Sequence, residues 1–178
     1  MKAADFSKLQ IFTERLLLVP STQEFADVTF KEFTKEIAEY MQPKPYESVE
    51  DAQKALNDRF ERMKSGIDIS LTILSKENKE FLGRASLLDA NTETPELGVW
   101  IKKSAHGNRY GKEAIEALVD WLNKNLDFKY LRYPVDRNNP SSMKIAHSLG
   151  GIVGKEYRNK NMAGKMLDTI EYWVYKTQ

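Results

Sequence analysis

The stretch Glu-Leu-Gly-Val-Trp-Ile-Lys-Lys-Ser-Ala-His-Gly-Asn-Arg-Tyr-Gly-Lys-Glu-Ala-Ile, from Glu96 to Ile115, constrains this chain more than any other part of it. Leu97, Val99 and Ile101 alternate with Glu96, Gly98, Trp100 and Lys102 at the period of a strand. Gly107 and Gly111 bracket a chain reversal, and beyond it Ile115, Leu118, Val119, Leu122 and Leu126 recur at helical spacing as an apolar stripe. A helix that starts at such a turn leaves its first backbone N–H groups without intrahelical partners and aims the positive end of its dipole forward. Strand, glycine turn and helix together make an anion-binding geometry whose natural occupant is a diphosphate. The spacing fits neither the G-x-G-x-x-G of dinucleotide-binding folds nor the G-x-x-x-x-G-K-[ST] of phosphate-binding loops.

The rest of the chain supplies a mixed order of elements. Ile11 to Val19 reads as a strand, and Phe25, Val28, Phe33, Ile37 and Tyr40 return at helical intervals up to a break at Pro43 and Pro45. Ser48 is placed to cap a second helix, with Ala52, Ala55, Leu56, Phe60 and Met63 as its stripe and Gly66 beyond its end. Ile67 to Leu74 and Glu80 to Leu88 form a hairpin around the polar Ser75 to Lys79. After the opening motif come a short strand from Tyr130 to Val135, a helix over Ser141 to Leu149, and strands over Ile152 to Asn159 and Met166 to Tyr175. The pattern by itself predicts α/β or α+β. At 178 residues without a visible linker, residues 1–178 are expected to form one domain, burying roughly 70% of the surface of the unfolded chain.

Composition narrows the function classes. Lysine and arginine number 27 against 26 acidic residues, a net charge of +1 with neutral histidines, so the overall field gives no reason to expect a nucleic-acid partner. Cysteine is absent, which excludes disulfides, thiolate catalysis and Cys-ligated metals. Charges interrupt Met1 to Gln10, and no window reaches membrane-spanning length, so a cytoplasmic protein without a membrane partner is expected. Two histidines without matching carboxylate spacing predict no metal centre.

His106-Gly-Asn-Arg-Tyr-Gly111 resembles the acyl-CoA signature Q/R-x-x-G-x-G/A of the GCN5-related N-acetyltransferases (GNAT), with His106 in the place of Gln or Arg and Arg109 in the place of the middle glycine. Thr13 to Pro20, Phe81 to Leu87 and Glu96 to Ile101 are similar to successive strands of the RimJ/RimL branch. Asn139-Pro-Ser-Ser-Met-Lys-Ile-Ala-His-Ser-Leu-Gly-Gly151 resembles that branch's second CoA-binding element. The resemblance implies a twisted, mixed, mostly antiparallel sheet of about seven strands with helices on both faces. It also implies acetyl-CoA as co-substrate and an amine as acceptor.

Carried onto this sequence, the family pattern assigns the cofactor site to Val99, Trp100 and Ile101 on a splayed strand, to His106, Gly107, Asn108, Arg109, Tyr110, Gly111 and Lys112 around the diphosphate, and to Asn139 and Ser142. Lys112 reads equally well as an exposed helix lysine, and Asn139 as a helix cap. Acetyl transfer needs an uncharged amine, a polarised thioester carbonyl and a proton for the departing thiolate. A backbone N–H at Val99 or Trp100 is the candidate for the second need, and the Ser142 hydroxyl for the third. Glu96 is the leading candidate for the base, ahead of Glu156, while His106 reads as a packing residue of the turn and His147 as part of an exposed helix face.

Phe33, Tyr46 and Trp100 are the expected acceptor-side aromatics, and Trp121 and Trp173 the expected core. Glu32, Glu36, Glu39, Glu47, Glu50 and Asp51 give that region an acidity that would suit a cationic amine, though a solvated helix face is the plainer account of it. A protein α-amine is the favoured acceptor, with a polyamine or aminoglycoside as the enzymatic alternative. A CoA-binding regulatory module without turnover is the alternative of another class. Tyr172, Trp173 and Tyr175 mark the last strand as a candidate for pairing with a second copy in a homodimer.

Overall fold

The computed structural model describes residues 4–176; of the Met1 to Gln10 segment, the first residues up to Ala3 lie outside it. The chain runs through β1 (Ile11–Phe12), β2 (Leu16–Pro20), α1 (Ala26–Glu32), α2 (Val49–Lys64), β3 (Ile69–Ser75), β4 (Phe81–Leu88), β5 (Glu96–Ile101), α3 (Tyr110–Asn125), β6 (Tyr130–Asp136), α4 (Pro140–Ser148), β7 (Ile152–Lys160) and β8 (Met166–Tyr175). The strands form one eight-stranded sheet in the order β1-β2-β3-β4-β5-β6-β8-β7. All neighbours are antiparallel except β5 and β6, which are parallel and meet at Glu96 and Arg132.

Two sequence expectations change here. The segment from Ile11 to Val19 is not one strand but a tight hairpin, in which Thr13 Oγ1 accepts from the Leu16 N–H across the bend. The apolar spacing from Phe25 to Tyr40 does not sustain one helix: α1 ends at Glu32, and a separate 3-10 turn covers Ile37–Tyr40. The backbone turns at Phe33 because its ring leaves the helical path to pack on Trp100, with ring centroids 4.9 Å apart. Tertiary burial thus overrides the local period. The Ser48 cap forms as expected, its hydroxyl accepting from the Asp51 N–H at 3.1 Å.

The sheet separates two apolar layers. On one face Ala114, Ile115, Leu118 and Leu122 of α3 pack on Leu16, Leu71, Ala85 and Leu97, and Ala146 of α4 joins them beside Tyr133 and Tyr172. Each of these large aliphatic side chains, at or near zero exposure, contributes about 1.5–3 kcal/mol relative to an exposed one. On the other face α1 and α2 cover β3 to β5 through Phe33, Leu74, Phe81 and Trp100, joined to each other by Ala26, Ala52 and Leu56. Gly83 lets β4 and β5 approach: a Cβ there would lie 2.0 Å from the Trp100 carbonyl oxygen. β8 lies between β6 and β7, so both of its edges are paired and the free edge at this end of the sheet is β7. That corrects the expectation that the strand of Tyr172, Trp173 and Tyr175 offers its edge to a second copy.

Candidate active site

β5 and β6 separate immediately after their single pairing. The Arg132 N–H donates to the Pro95 carbonyl at 2.8 Å, so the backbone groups of Arg132 and, two residues on, those of Pro134 point toward β5. Proline has no N–H to offer the Leu97 carbonyl, and the ladder ends there. The register of β4 with β5 then decides which groups of β5 face the gap. The Lys102 N–H donates to the Leu82 carbonyl, and Trp100 stands opposite Arg84, so the even-numbered residues are spent on β4. The N–H and carbonyl of Val99 and the N–H of Ile101 point into the gap. Of the two residues expected to polarise a carbonyl there, Val99 has its N–H available, whereas that of Trp100 is directed to β4. The Ile101 carbonyl accepts from His106 Nε2 at 2.8 Å, which fixes the Nε2–H tautomer and ties the turn to the end of β5.

The turn is built to leave its amides open. The Ala105 and His106 N–H groups close a 3-10 turn onto Lys102 and Lys103, but from Gly107 to Lys112 no backbone N–H donates to any partner among the described residues. Gly107 has φ +83, and space is open where its Cβ would be. Arg109 resolves the mismatch with the family pattern: it takes up the left-handed conformation, φ 62 and ψ 18, so an arginine holds the shape that the expected glycine would hold. Its side chain is exposed, as are those of Asn108 and His106. Asn108 Nδ2 donates to the Ala105 carbonyl at 3.1 Å and closes the turn from within. Gly111 lies under Val99 and Ile101, bringing α3 close to β5.

A brace missed in the sequence holds the turn from outside. Glu113 accepts from Thr13 Oγ1 at 2.5 Å, from the Arg15 N–H and from Arg15 Nε, while Arg15 Nη2 donates to the Asn108 carbonyl at 3.1 Å. Burial pushes the Glu113 carboxyl up, but the hydrogen bonds from Thr13 and Arg15 outweigh it and hold the group below its ordinary value. Arg15 also lies 4.8 Å over the Tyr110 ring. Lys112 forms an i,i+4 pair with Glu116 at 3.5 Å, the ordinary helix-surface arrangement.

On the α4 side, Asn139 caps the helix, its Oδ1 accepting from the Ser142 N–H at 3.2 Å, with Pro140 in the first turn. Ser142 Oγ shares a 2.8 Å hydrogen bond with the hydroxyl of Tyr133 on β6. Burial pushes the Tyr133 phenol up to about 12, so it stays protonated, and its hydrogen bond to Ser142 only partly offsets that. No spacing in the chain signals this pair, since Tyr133 falls on an inward position of an ordinary strand. His147 is exposed on α4, as expected of that helix face, with its ring edge-on to Tyr172 at 5.3 Å.

On the opposite face, Glu96 forms an ion pair with Arg132 at 3.0 Å, and Arg132 reaches Glu171 at 3.7 Å. Burial raises the Glu96 carboxyl above its ordinary range, aided by Glu171 and Asp89 and opposed by Arg132. Glu171 is itself buried and accepts from Trp173 Nε1 at 2.8 Å. Glu96 is on the same face as Trp100, but three residues back from Val99, about 10 Å along the strand. Glu156 lies three strands from β5 and pairs with Arg137 at 2.8 Å. Trp173 stacks on Tyr130 and is only partly buried, and Trp121 meets Phe6 edge-on.

The aromatics expected on the acceptor side lie together: Phe33 is 6.0 Å from Tyr46 and 4.9 Å from Trp100. The acidity around them does not assemble. Glu36 pairs with Lys103, Glu39 with Lys165 and Glu47 with Lys44, while Glu50 and Asp51 occupy the first turn of α2. No helix of the described residues is long and apolar enough to cross a membrane.

The family model of the acetyltransferase (GNAT) domain matches residues 15–152. An uncharacterized N-acetyltransferase p20 of Bacillus licheniformis is 25% identical over 175 residues, covering 94% of this chain and 97% of that protein. The fold is similar to the ribosomal-protein-S5-alanine acetyltransferase of Vibrio fischeri, with a TM-score of 0.82 at 16% identity, covering 96% of this chain and 98% of that one. It is also similar to RimL, a ribosomal L7/L12 α-N-protein acetyltransferase, with a TM-score of 0.78 at 15% identity and 94% of both chains covered. With open amides at the α3 turn, a splayed β5–β6 pair and a family match over most of its length, the chain belongs to the GNAT acetyltransferases and is an acetyl-CoA-dependent acetyltransferase.

Proposed function

We propose that this enzyme transfers the acetyl group directly to the α-amine of a protein or peptide, in a complex that holds both substrates at once. The observation that carries the reading is the continuous set of unpaired donors, from Gly107 to Lys112 at the helix start and at Val99 in the gap. Acetyl-CoA supplies an activated thioester. The turn would hold its diphosphate through backbone N–H groups, with the exposed Arg109 and Lys112 adding charge. The free edge of β5 would hold the pantetheine amides in the manner of an added strand.

The Val99 N–H then faces the thioester carbonyl and stabilises the charge that develops on its oxygen. Ser142 supplies a proton to the leaving sulfur while Tyr133, kept neutral by burial, donates to Ser142 in turn. Glu96, about 10 Å along the strand from Val99, takes the amine proton through water. A protein acceptor is supported by the ribosomal-protein acetyltransferases among the structural neighbours. Arg109 in the left-handed region preserves the turn, which removes the reason for reading the chain as a CoA-binding module without turnover.

Thiol release from acetyl-CoA, followed against a panel of peptide N-termini, polyamines and aminoglycosides, tests the reading. Release with peptides is expected. Acetyl-CoA binding without release for any amine would overturn it.

A further inference from the structure

Four buried polar groups without a hydrogen-bond partner, Arg84 Nη1, Arg59 Nε, Ser70 Oγ and Trp100 Nε1, belong to β3, β4, β5 and the α2 helix that covers them. Arg84 is 7% exposed and stands opposite Trp100 in the register, its guanidinium 5.9 Å from that ring. Thr72 faces Arg84 from β3, and Ser70 lies two residues along on the same face. Arg59 approaches from α2, and both guanidinium groups lie against the hydroxyl of Tyr46. Burial and the neighbouring Arg59 lower Arg84 to about 10, which still leaves it charged at neutral pH. Neither arginine takes part in an ion pair among the described residues.

Two guanidinium groups facing one phenol leave positive charge uncompensated in a place of low dielectric, where an unpaired charge is strongly unfavourable. Tyr46 and Arg59 also line a groove of about 400 Å³ that opens past Pro45 and Met162. Its acidic residues are Glu47, held by Lys44 at 2.5 Å, and the exposed Asp51. Arg59 is thus the groove's cation without a carboxylate partner among the described residues, with Arg84 buried beyond the lining near Tyr46. Guanidinium is the side-chain group matched in shape to a carboxylate.

We propose that the acceptor carries a carboxylate close to its amine, bound by Arg59 and Arg84 beneath Tyr46, and that this pair excludes polyamines. The proposal rests on reading the face covered by α1 and α2 as the acceptor side. The carboxylate can belong to an acidic side chain next to a peptide N-terminus or be the free α-carboxylate of a small amino acid or dipeptide.

The test compares twins that differ only in that charge: Ser-Glu-Ala-amide against Ser-Gln-Ala-amide, and Ala-Gly against Ala-Gly-amide, with spermidine as the cationic amine. Thiol release is followed for the full chain and for Arg59→Gln and Arg84→Gln, and binding of the N-acetylated twins is measured by calorimetry. The acidic member of at least one pair is expected to exceed its amide twin about tenfold or more in kcat/KM, through KM, and its acetylated form to bind more tightly by a similar factor. The favoured pair identifies the source of the carboxylate. Arg59→Gln, on the half-exposed helix position, brings that ratio toward one even if Arg84→Gln, at a buried site, fails to fold. Turnover with ratios near one, or a preference for spermidine, overturns the carboxylate site and leaves acetyl transfer standing. Tight binding of an acidic acetylated twin without turnover of any amine leaves the site standing and overturns acetyl transfer to these acceptors.

Discussion

Arg109→Gly gives two readouts that move in opposite directions. Arg109 sits at φ 62 and ψ 18 in front of α3, a conformation that disfavours a side chain by about 1–2 kcal/mol. Glycine removes that strain but gives up about 0.5–1 kcal/mol of extra chain entropy. The substitution also removes a cation from the positive end of the helix, worth a further few tenths of a kcal/mol. The sum is a gain of about 1 kcal/mol in the ligand-free protein, or roughly 2–4 °C in Tm for a domain of this size.

Binding responds the other way. The backbone N–H is retained while an exposed guanidinium is lost, and an exposed charge pair contributes about 0.2–1 kcal/mol. Kd for acetyl-CoA should therefore rise about two- to fivefold. Guanidinium chloride unfolding and titration calorimetry measure the two effects. Arg109→Pro is the control: it has no N–H and cannot reach a positive φ, so binding should be lost. A less stable Arg109→Gly protein, or one whose acetyl-CoA affinity falls a hundredfold, would refute the argument that the main chain of the turn is the binding element.

Pro134→Val restores a donor opposite the Leu97 carbonyl and should extend the β5–β6 ladder, weakening acetyl-CoA binding about tenfold while stability changes by less than about 1 kcal/mol; unchanged affinity would show that proline does not hold the gap open. Ser142→Ala and Tyr133→Phe should each lower kcat more than acetyl-CoA affinity, and the double variant should lose little more than either single one, because the two hydroxyls act as a unit; additive losses in a kinetic cycle would separate them. If Glu96 is the base, activity falls as pH drops through its raised pKa, so the acid limb of kcat/KM lies above the ordinary glutamate range. Arg132→Gln should move that limb higher still, and Glu96→Gln should abolish it. The same shift acts on stability with a defined sign: the contribution of protonated Glu96 is complete below its unfolded pKa and is lost as pH rises through the folded one.

The strand, turn and helix around the diphosphate site were legible because they rest on local rules: alternation in Leu97, Val99 and Ile101, glycine at Gly107, and the apolar stripe from Ile115 onward. The Ser48 and Asn139 caps were legible for the same reason. Groups that become functional only through register were not. That Val99 rather than Trp100 points into the gap follows from even-numbered pairing with β4, which no spacing within one strand reveals. Pro134 was a readable signal for where the strands part, since a proline inside a strand pattern marks an unpaired edge.

Tyr133, Arg15 and Glu113 act through partners 9 to 100 residues away, and nothing in the spacing of Arg59 or Arg84 sets them apart from other charges on a helix and a strand. Their burial and lack of carboxylate partners emerge only from packing. The acidic residues from Glu32 to Asp51 form the solvated face that was the plainer expectation, and the partners Lys103 and Lys165 of Glu36 and Glu39 are distant in sequence.

Backbone amide chemical shifts and hydrogen exchange, recorded residue by residue with and without acetyl-CoA, decide whether the N–H groups of the α3 turn and of Val99 receive it. The largest shifts and the gain in protection should fall on Gly107 to Lys112 and on Val99, with the Trp100 amide, already paired to β4, little changed. Protection that leaves these amides unaltered and appears at another part of the sheet would contradict the account.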